Sequence, residues 1–131
     1  MPARILIIED NSANLELIEY LLKAAGYQTL AATDGARGVQ VAREQRPDLV
    51  LCDLQMPVLN GYEVLEQLRA HPLTRLIPVL AVTAFSMPGD RAKVIEAGFD
   101  GYLSKPIEPE QFVRQVEQYL PGNMIRSPTK G

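Results

Sequence analysis

The chain has 131 residues, 47% of them hydrophobic and 22% charged, which fits one soluble globular domain and leaves no room for a second. Its formal net charge of -3, with no basic stripe, argues against direct nucleic-acid binding. The single cysteine, Cys52, cannot form an internal disulfide, and no signal peptide or membrane-length apolar run is visible. We therefore expect a cytoplasmic protein without membrane contact.

Short runs rich in β-branched residues alternate with amphipathic helical stretches, which is typical of repeated βα units on a parallel sheet. In chain order, the predicted strands are Arg4 to Ile8, Tyr27 to Ala32, Leu49 to Cys52, Ile77 to Val82 and Phe99 to Ser104. The predicted helices run from Ser12 to Gly26, from Asp34 to Pro47, from Pro88 to Gly98 and from Pro109 to Leu120. A further helix, the third in the chain, carries Val64, Leu65 and Leu68 and ends at His71, after a predicted loop over Met56 to Gly61.

The helix boundaries are predicted from capping and breaking residues. Ser12 is a suitable N-cap for the first helix, and Gly26 suits the position just past its end. Pro88 fits the first turn of the fourth helix, because a proline there loses no helical hydrogen bond. Pro121 and Gly122 stop the last helix, so we expect one domain over residues 1–122 and a polar, disordered tail over 123–131.

Polar side chains stand where four of the apolar runs stop. Glu9 and Asp10 follow the first run, Asp53 follows the third, Thr83 the fourth and Lys105 the fifth. Ligands of parallel α/β sheets bind outside the carboxyl ends of the strands, so these side chains should converge at one edge of the sheet. Carboxylates, a hydroxyl and an ammonium group together make a site for a divalent cation and a phosphoryl group.

The residue types of this cluster fit phosphoryl transfer. Magnesium is usually held by one or two carboxylates plus waters and phosphate oxygens, which leaves Asp53 free to act as a nucleophile. Lys105 can pair with a second phosphoryl oxygen, and the Thr83 hydroxyl with the backbone N–H of Ala84 can take the third. Any one of these residues alone would more readily be a loop start or a helix cap, but the complete set favours a site.

The same residues and their neighbours form a known pattern. In family order, the matching residues are Glu9-Asp10, Asp53, Met56-Pro57, Gly61, Thr83-Ala84 and Lys105-Pro106. Over most of its length the chain resembles the receiver domain of two-component response regulators, above all single-domain receivers of the DivK kind and receivers of hybrid kinases. The resemblance implies an α/β fold, a doubly wound (βα)5 unit with a parallel sheet in the order 2-1-3-4-5, flavodoxin-like and CheY-like.

The resemblance also implies roles for individual residues. Asp53 would accept a phosphoryl group from a phosphohistidine on a sensor histidine kinase or a phosphotransfer protein, assisted by Lys105, Thr83 and Ala84. The implied ligands of Mg²⁺ or Mn²⁺ are Glu9, Asp10, Asp53 and the backbone carbonyl of Gln55.

A conformational switch is implied as well. Thr83 would move towards the phosphoryl group, and Tyr102 on the fifth strand would turn inward behind it. The bond between Lys105 and Pro106 is expected to be cis, which would aim the lysine at the site. The surface of the fourth helix, fifth strand and fifth helix would then change its affinity for a downstream protein. The chain would be a monomer or weak dimer that catalyses only its own phosphoryl transfer and dephosphorylation.

Two other functions are compatible with parts of this pattern. A Mg²⁺-dependent aspartyl-phosphate hydrolase acting on small phosphate esters needs a second acid and a cap, yet the first acid after Asp53 is Glu63 and no cap is inserted. A flavodoxin-like electron carrier needs a phosphate loop, where this chain has Glu9 to Ser12. Because Met1 lies just before the domain, we expect a stand-alone receiver, with a receiver excised from a hybrid kinase as the alternative.

Overall fold

The computed structural model describes residues 2–84 and 89–124. Its strands are β1 (Arg4–Ile8), β2 (Gln28–Ala32), β3 (Leu49–Asp53), β4 (Val79–Thr83) and β5 (Gly101–Ser104). They form one sheet in the order β2-β1-β3-β4-β5, in which every neighbouring pair is parallel. The strand order confirms the predicted fold class.

Four helices connect consecutive strands, and a fifth follows β5, which completes the (βα)5 pattern. They are α1 (Ser12–Ala24), α2 (Gly35–Gln45), α3 (Gly61–Ala70), α4 (Asp90–Ala97) and α5 (Pro109–Glu117), followed by a 3-10 turn (Gly122–Met124). Within the described part of the chain, none of these helices has the length and apolar character needed to cross a bilayer.

The helices cover both faces of the sheet, which makes it doubly wound. Val39 of α2, Val64 of α3 and Val94 of α4 belong to the hydrophobic cluster on one face. Leu15 of α1 and Phe112 of α5 belong to the cluster on the other face. The central strands β3 and β4 are buried along their whole length, which explains why their sequences are apolar at every position but the last.

Side-chain caps fix the starts of the first three helices. Asn11, not Ser12, is the N-cap of α1, and its side chain accepts a hydrogen bond of 2.9 Å from the Asn14 N–H. The prediction was wrong by one residue because Asn and Ser are comparably good caps and stand side by side. Asp34 caps α2, where the sequence predicted that helix to open. Asn60 forms a capping box with Glu63, so α3 begins at Gly61, a residue that was predicted to belong to the preceding loop.

Several predicted boundaries are corrected by the structure. The strands predicted to begin at Tyr27, Ile77 and Phe99 start later, at Gln28, Val79 and Gly101. The N–H groups of Tyr27 and Ile77 donate instead to the carbonyls of Leu22 and Thr74, in the segments that precede these strands. Helix α4 begins at Asp90, and Pro88 lies outside the described residues.

The last helix and the start of the predicted tail differ from the boundaries expected from the sequence. Helix α5 ends at Glu117 rather than at Leu120, since Tyr119 and Leu120 make shorter-range turn hydrogen bonds. The predicted tail begins within the 3-10 turn, where Met124 packs against the core cluster of α1 and α5. Residues 125–131 lie outside the described part of the chain.

Candidate functional site

The carboxyl ends of four parallel strands bring the predicted polar residues to one edge of the sheet. Glu9 follows β1, Asp53 and Thr83 end β3 and β4, and these three are 1%, 2% and 5% exposed. Asp10 is exposed beside them. Glu9, Asp10 and Asp53 each offer a carboxylate oxygen, and the three oxygens lie within 4.8 Å of one another.

Lys105 completes the cluster from the strand at the edge of the sheet. Its ammonium Nζ lies 3.2 Å from Asp53 Oδ1 and 3.5 Å from Glu9 Oε1. The backbone N–H of Lys105 donates to the Thr83 carbonyl over 2.9 Å, and the peptide bond to Pro106 is cis, as expected from the sequence. One cation therefore neutralises part of the charge of two buried carboxylates.

The backbone around Asp53 is held on both sides. Asp53 Oδ1 accepts a hydrogen bond of 3.1 Å from the Gln55 N–H, and the Leu54 N–H donates to the Val82 carbonyl of β4. Helix α3 starts so close to this segment that a Cβ on Gly61 would lie 2.7 Å from the Asp53 carbonyl oxygen. Glycine at position 61 thus allows α3 to pack against the strand end that carries Asp53.

Glu9 is the most perturbed acid of the site. Burial raises its pKa from the usual 4.5 to about 7, and hydrogen bonding and charge interaction with Asp53 act in the same direction. The Asn11 N–H, which donates to Glu9 Oε2 over 3.1 Å, and the charge of Lys105 both lower this pKa. Its other oxygen, Oε1, has no hydrogen-bond partner among the described residues.

These observations fit a divalent cation. Glu9 Oε1 is buried without a hydrogen bond from the described residues, and the nearby Lys105 ammonium is shared with Asp53, so a further cation would lower the cost of burying these acids. The cluster offers hard oxygen donors from Glu9, Asp10 and Asp53, which is the ligand type that Mg²⁺ and Mn²⁺ prefer. Gln55 is exposed next to the cluster, and its backbone N–H faces Asp53.

The two residues of the predicted switch lie on neighbouring strands. Tyr102 pairs with Ala81 in the register of β4 and β5, and Thr83 follows two positions after Ala81, so both side chains belong to the same face of the sheet. Thr83 is buried and Tyr102 is half-buried, while Ala84 is exposed. The guanidinium carbon of Arg91 lies 5.3 Å from the centroid of the Tyr102 ring.

Sequence reasoning missed two contacts of this region. The Arg91 contact joins α4 to β5, and nothing in the local sequence distinguishes Arg91 from other exposed residues of that helix. The hydrogen bond from the Asn11 N–H to Glu9 was also missed, although the Asn11 cap that orients this amide could have been found from its residue type.

Comparisons with known proteins agree with this geometry. The family described as the response regulator receiver domain matches residues 5–117. The polar-differentiation response regulator DivK of Brucella anthropi is 42% identical over 120 residues, which are 92% of this chain and 98% of the relative.

Solved structures show the same relationship. The receiver domain of the sensor histidine kinase PA1611 from Pseudomonas aeruginosa PAO1, with a magnesium ion coordinated in its active-site cleft, is 35% identical with a TM-score of 0.82, covering 91% of this chain and 98% of that one. The Vibrio cholerae chemotaxis protein CheY4 is 27% identical with a TM-score of 0.85, covering 92% and 100%. Sequence, fold and site together show that the chain belongs to the response regulator receiver domain family of two-component signal transduction.

Proposed function

We propose that Asp53 is the phosphoryl acceptor of this receiver and that the donor is a phosphohistidine on a sensor histidine kinase or a phosphotransfer protein. The observation that carries this proposal is the position of Lys105, whose ammonium lies 3.2 Å from the carboxylate of Asp53. A carboxylate oxygen of Asp53 attacks phosphorus, and an acyl phosphate forms. The P–N bond breaks, its electron pair returns to the imidazole nitrogen, and that ring takes up a proton from solvent.

The side chains around Asp53 match the needs of this transfer. The transferred group carries charge on three oxygens, and catalysis consists mainly of positioning and of neutralising that charge. The Lys105 ammonium can pair with one phosphoryl oxygen, and the Thr83 hydroxyl and the Ala84 N–H can donate hydrogen bonds to another. Thr83 is buried at the end of β4, so its hydroxyl is positioned by the strand rather than by a loop.

We assign Mg²⁺ or Mn²⁺ to the remaining donors. The proposed ligands are Glu9, Asp10, Asp53 and the backbone carbonyl of Gln55. The carboxylate oxygens of the three acids lie within 4.8 Å of one another, close enough to share one ion. When bound, the cation neutralises a phosphoryl oxygen and the excess negative charge of the acids. The magnesium ion in the cleft of the PA1611 receiver supports this assignment.

The output of the protein is proposed to be a protein contact. Thr83 and Tyr102 form the switch, and the surface of α4, β5 and α5 binds a downstream protein with an affinity that depends on phosphorylation. The receiver domain covers residues 1–122 and acts in the cytoplasm as a monomer or weak dimer. Its only catalysis is transfer to itself and loss of its own phosphoryl group.

The test is to incubate the protein with Mg²⁺ and acetyl phosphate and to measure its mass. We expect a gain of one phosphoryl group in the wild type and none in Asp53→Asn. No gain in a folded wild type that binds Mg²⁺, or an equal gain in Asp53→Asn, would overturn the proposal. Sustained turnover of small phosphate esters would instead favour the hydrolase alternative.

A further inference from the structure

Helix α4 is attached to the rest of the domain by little apolar burial. Of its eight residues, all within the described part of the chain, only Val94 is buried. Its N-cap is Gly89, which has a φ of 92° and makes no side-chain capping hydrogen bond. Ile95, the other large apolar residue of the helix, is 50% exposed. Burial of one valine leaves the position of α4 dependent on its polar contacts.

Two cationic side chains of α4 lie over aromatic rings of neighbouring elements. The Arg91 guanidinium carbon lies 5.3 Å from the Tyr102 ring centroid on β5, and Lys93 Nζ lies 5.4 Å from the Tyr62 ring centroid on α3. Tyr62 in turn packs edge-on against Phe99, with centroids 5.8 Å apart. A cation at this distance from a ring is attracted to it, because the face of an aromatic ring carries a negative electrostatic potential.

The two contacts differ in what they hold. Both rings pack against the same core cluster, but only Arg91 covers Tyr102, the residue to which the proposed function gives a switching role. In this arrangement the Tyr102 ring is half-buried and lies against the guanidinium of an exposed residue, whereas Thr83 is buried. A Tyr102 ring that turned in towards Thr83 would leave the guanidinium.

We propose that Arg91 is a positioning residue of the switch, which acts through Tyr102 by favouring the ring orientation seen here and opposing its inward turn. The inference rests on the proposed function and adds a regulatory residue to it. At a partly exposed site a cation–π contact is worth enough to change a two-state equilibrium about two- to fivefold. Removing the guanidinium should therefore make the switched arrangement easier to reach by that factor.

The experiment measures binding of beryllium trifluoride, a tetrahedral phosphoryl mimic, in the presence of Mg²⁺. Arg91→Met keeps the length of the side chain without its charge and should tighten the apparent affinity about two- to fivefold. Arg91→Lys should lie close to wild type, because it keeps a cation. Lys93→Met is the matched control, since it removes the other cation–π contact of α4 without touching Tyr102, and it should bind as wild type does.

Repeating the Arg91→Met substitution in a Tyr102→Leu variant distinguishes an effect on the Tyr102 ring from a general effect of removing a positive charge. In Tyr102→Leu the ring is absent, so adding Arg91→Met should produce no further change in affinity. An unchanged or weaker affinity of Arg91→Met, an equal gain in Lys93→Met, or a gain that persists in Tyr102→Leu would overturn the proposal. If the wild type binds the mimic no better than Asp53→Asn, the proposed function itself fails, and this proposal with it.

Discussion

The ammonium of Lys105 reaches the carboxylate of Asp53 across the end of the strand that separates them. Asp53 ends β3 and Lys105 follows β5, with β4 between them, yet Lys105 Nζ lies 3.2 Å from Asp53 Oδ1. The hydrogen bond from the Lys105 N–H to the Thr83 carbonyl fixes the backbone at this crossing. The same ammonium is 3.5 Å from Glu9, so its removal leaves two buried acids without their cation.

Lys105→Met should slow phosphorylation by acetyl phosphate on the order of a hundredfold at saturating Mg²⁺, because one charge partner of the transferred group is lost. Rates of mass gain under identical conditions measure the effect. Lys93→Met removes a lysine outside the acidic cluster and should keep the wild-type rate. A Lys105→Met rate within a few-fold of wild type would contradict the proposed role of this ammonium.

Mg²⁺ affinity should depend on pH through Glu9. Its pKa is raised to about 7, so below that pH the cation must displace a proton, and affinity should rise about tenfold per pH unit. Above about pH 7 the acid is already ionised and the affinity should level off. Isothermal titration calorimetry in two buffers of different ionisation enthalpy counts the proton released.

Glu9→Gln is the control for this dependence. The amide cannot titrate, so binding should be weaker overall but much less dependent on pH over the same range. A wild-type affinity that is flat with pH, or a slope that survives in Glu9→Gln, would show that Glu9 does not carry the proton.

Gly61→Ala should destabilise the domain by about 1–3 kcal/mol, because the added methyl group would lie 2.7 Å from the Asp53 carbonyl and 2.8 Å from Leu54 Cα. Urea unfolding at constant pH gives this free energy. Gly122→Ala is a matched control, since its added Cβ would meet no other part of the described chain within 4 Å, apart from the adjoining backbone. Equal stabilities of the two variants would contradict the close packing of α3 on the strand end that carries Asp53.

Cys52 should resist alkylation in the folded protein. The residue is fully buried, and burial first, then the charges of Asp53 and Glu9, raise the pKa of its thiol. Iodoacetamide labelling followed by mass spectrometry should be at least about a thousandfold slower in buffer than in urea, because reaction requires an opening of the domain. Native labelling at a rate near the denatured one would place the thiol outside the core.

The sequence predicted the convergence of the site well because strand ends are visible in it. An apolar run that stops at a polar residue locates the carboxyl end of a buried strand, and parallel order then places Glu9, Asp53 and Thr83 together. Strand starts were predicted less well. Tyr27 and Phe99 are buried aromatic residues that lie just before β2 and β5, so their residue type is typical of a strand although they lie outside it.

Properties that depend on distances between elements could not be predicted. The raised pKa of Glu9 comes from its burial and from Asp53, and the Arg91 contact with Tyr102 comes from how α4 lies against the sheet. Neither follows from the order of residues along the chain.

The position of β5 in the sheet limits how other molecules can engage the protein. It is an edge strand and has four residues, and short edge strands are one means by which proteins prevent a foreign strand from extending their sheet. Backbone pairing is therefore a poor means of docking on the proposed output surface. Recognition there is left to side chains, so specificity can change by surface substitution while the sheet and the phosphoryl chemistry stay the same.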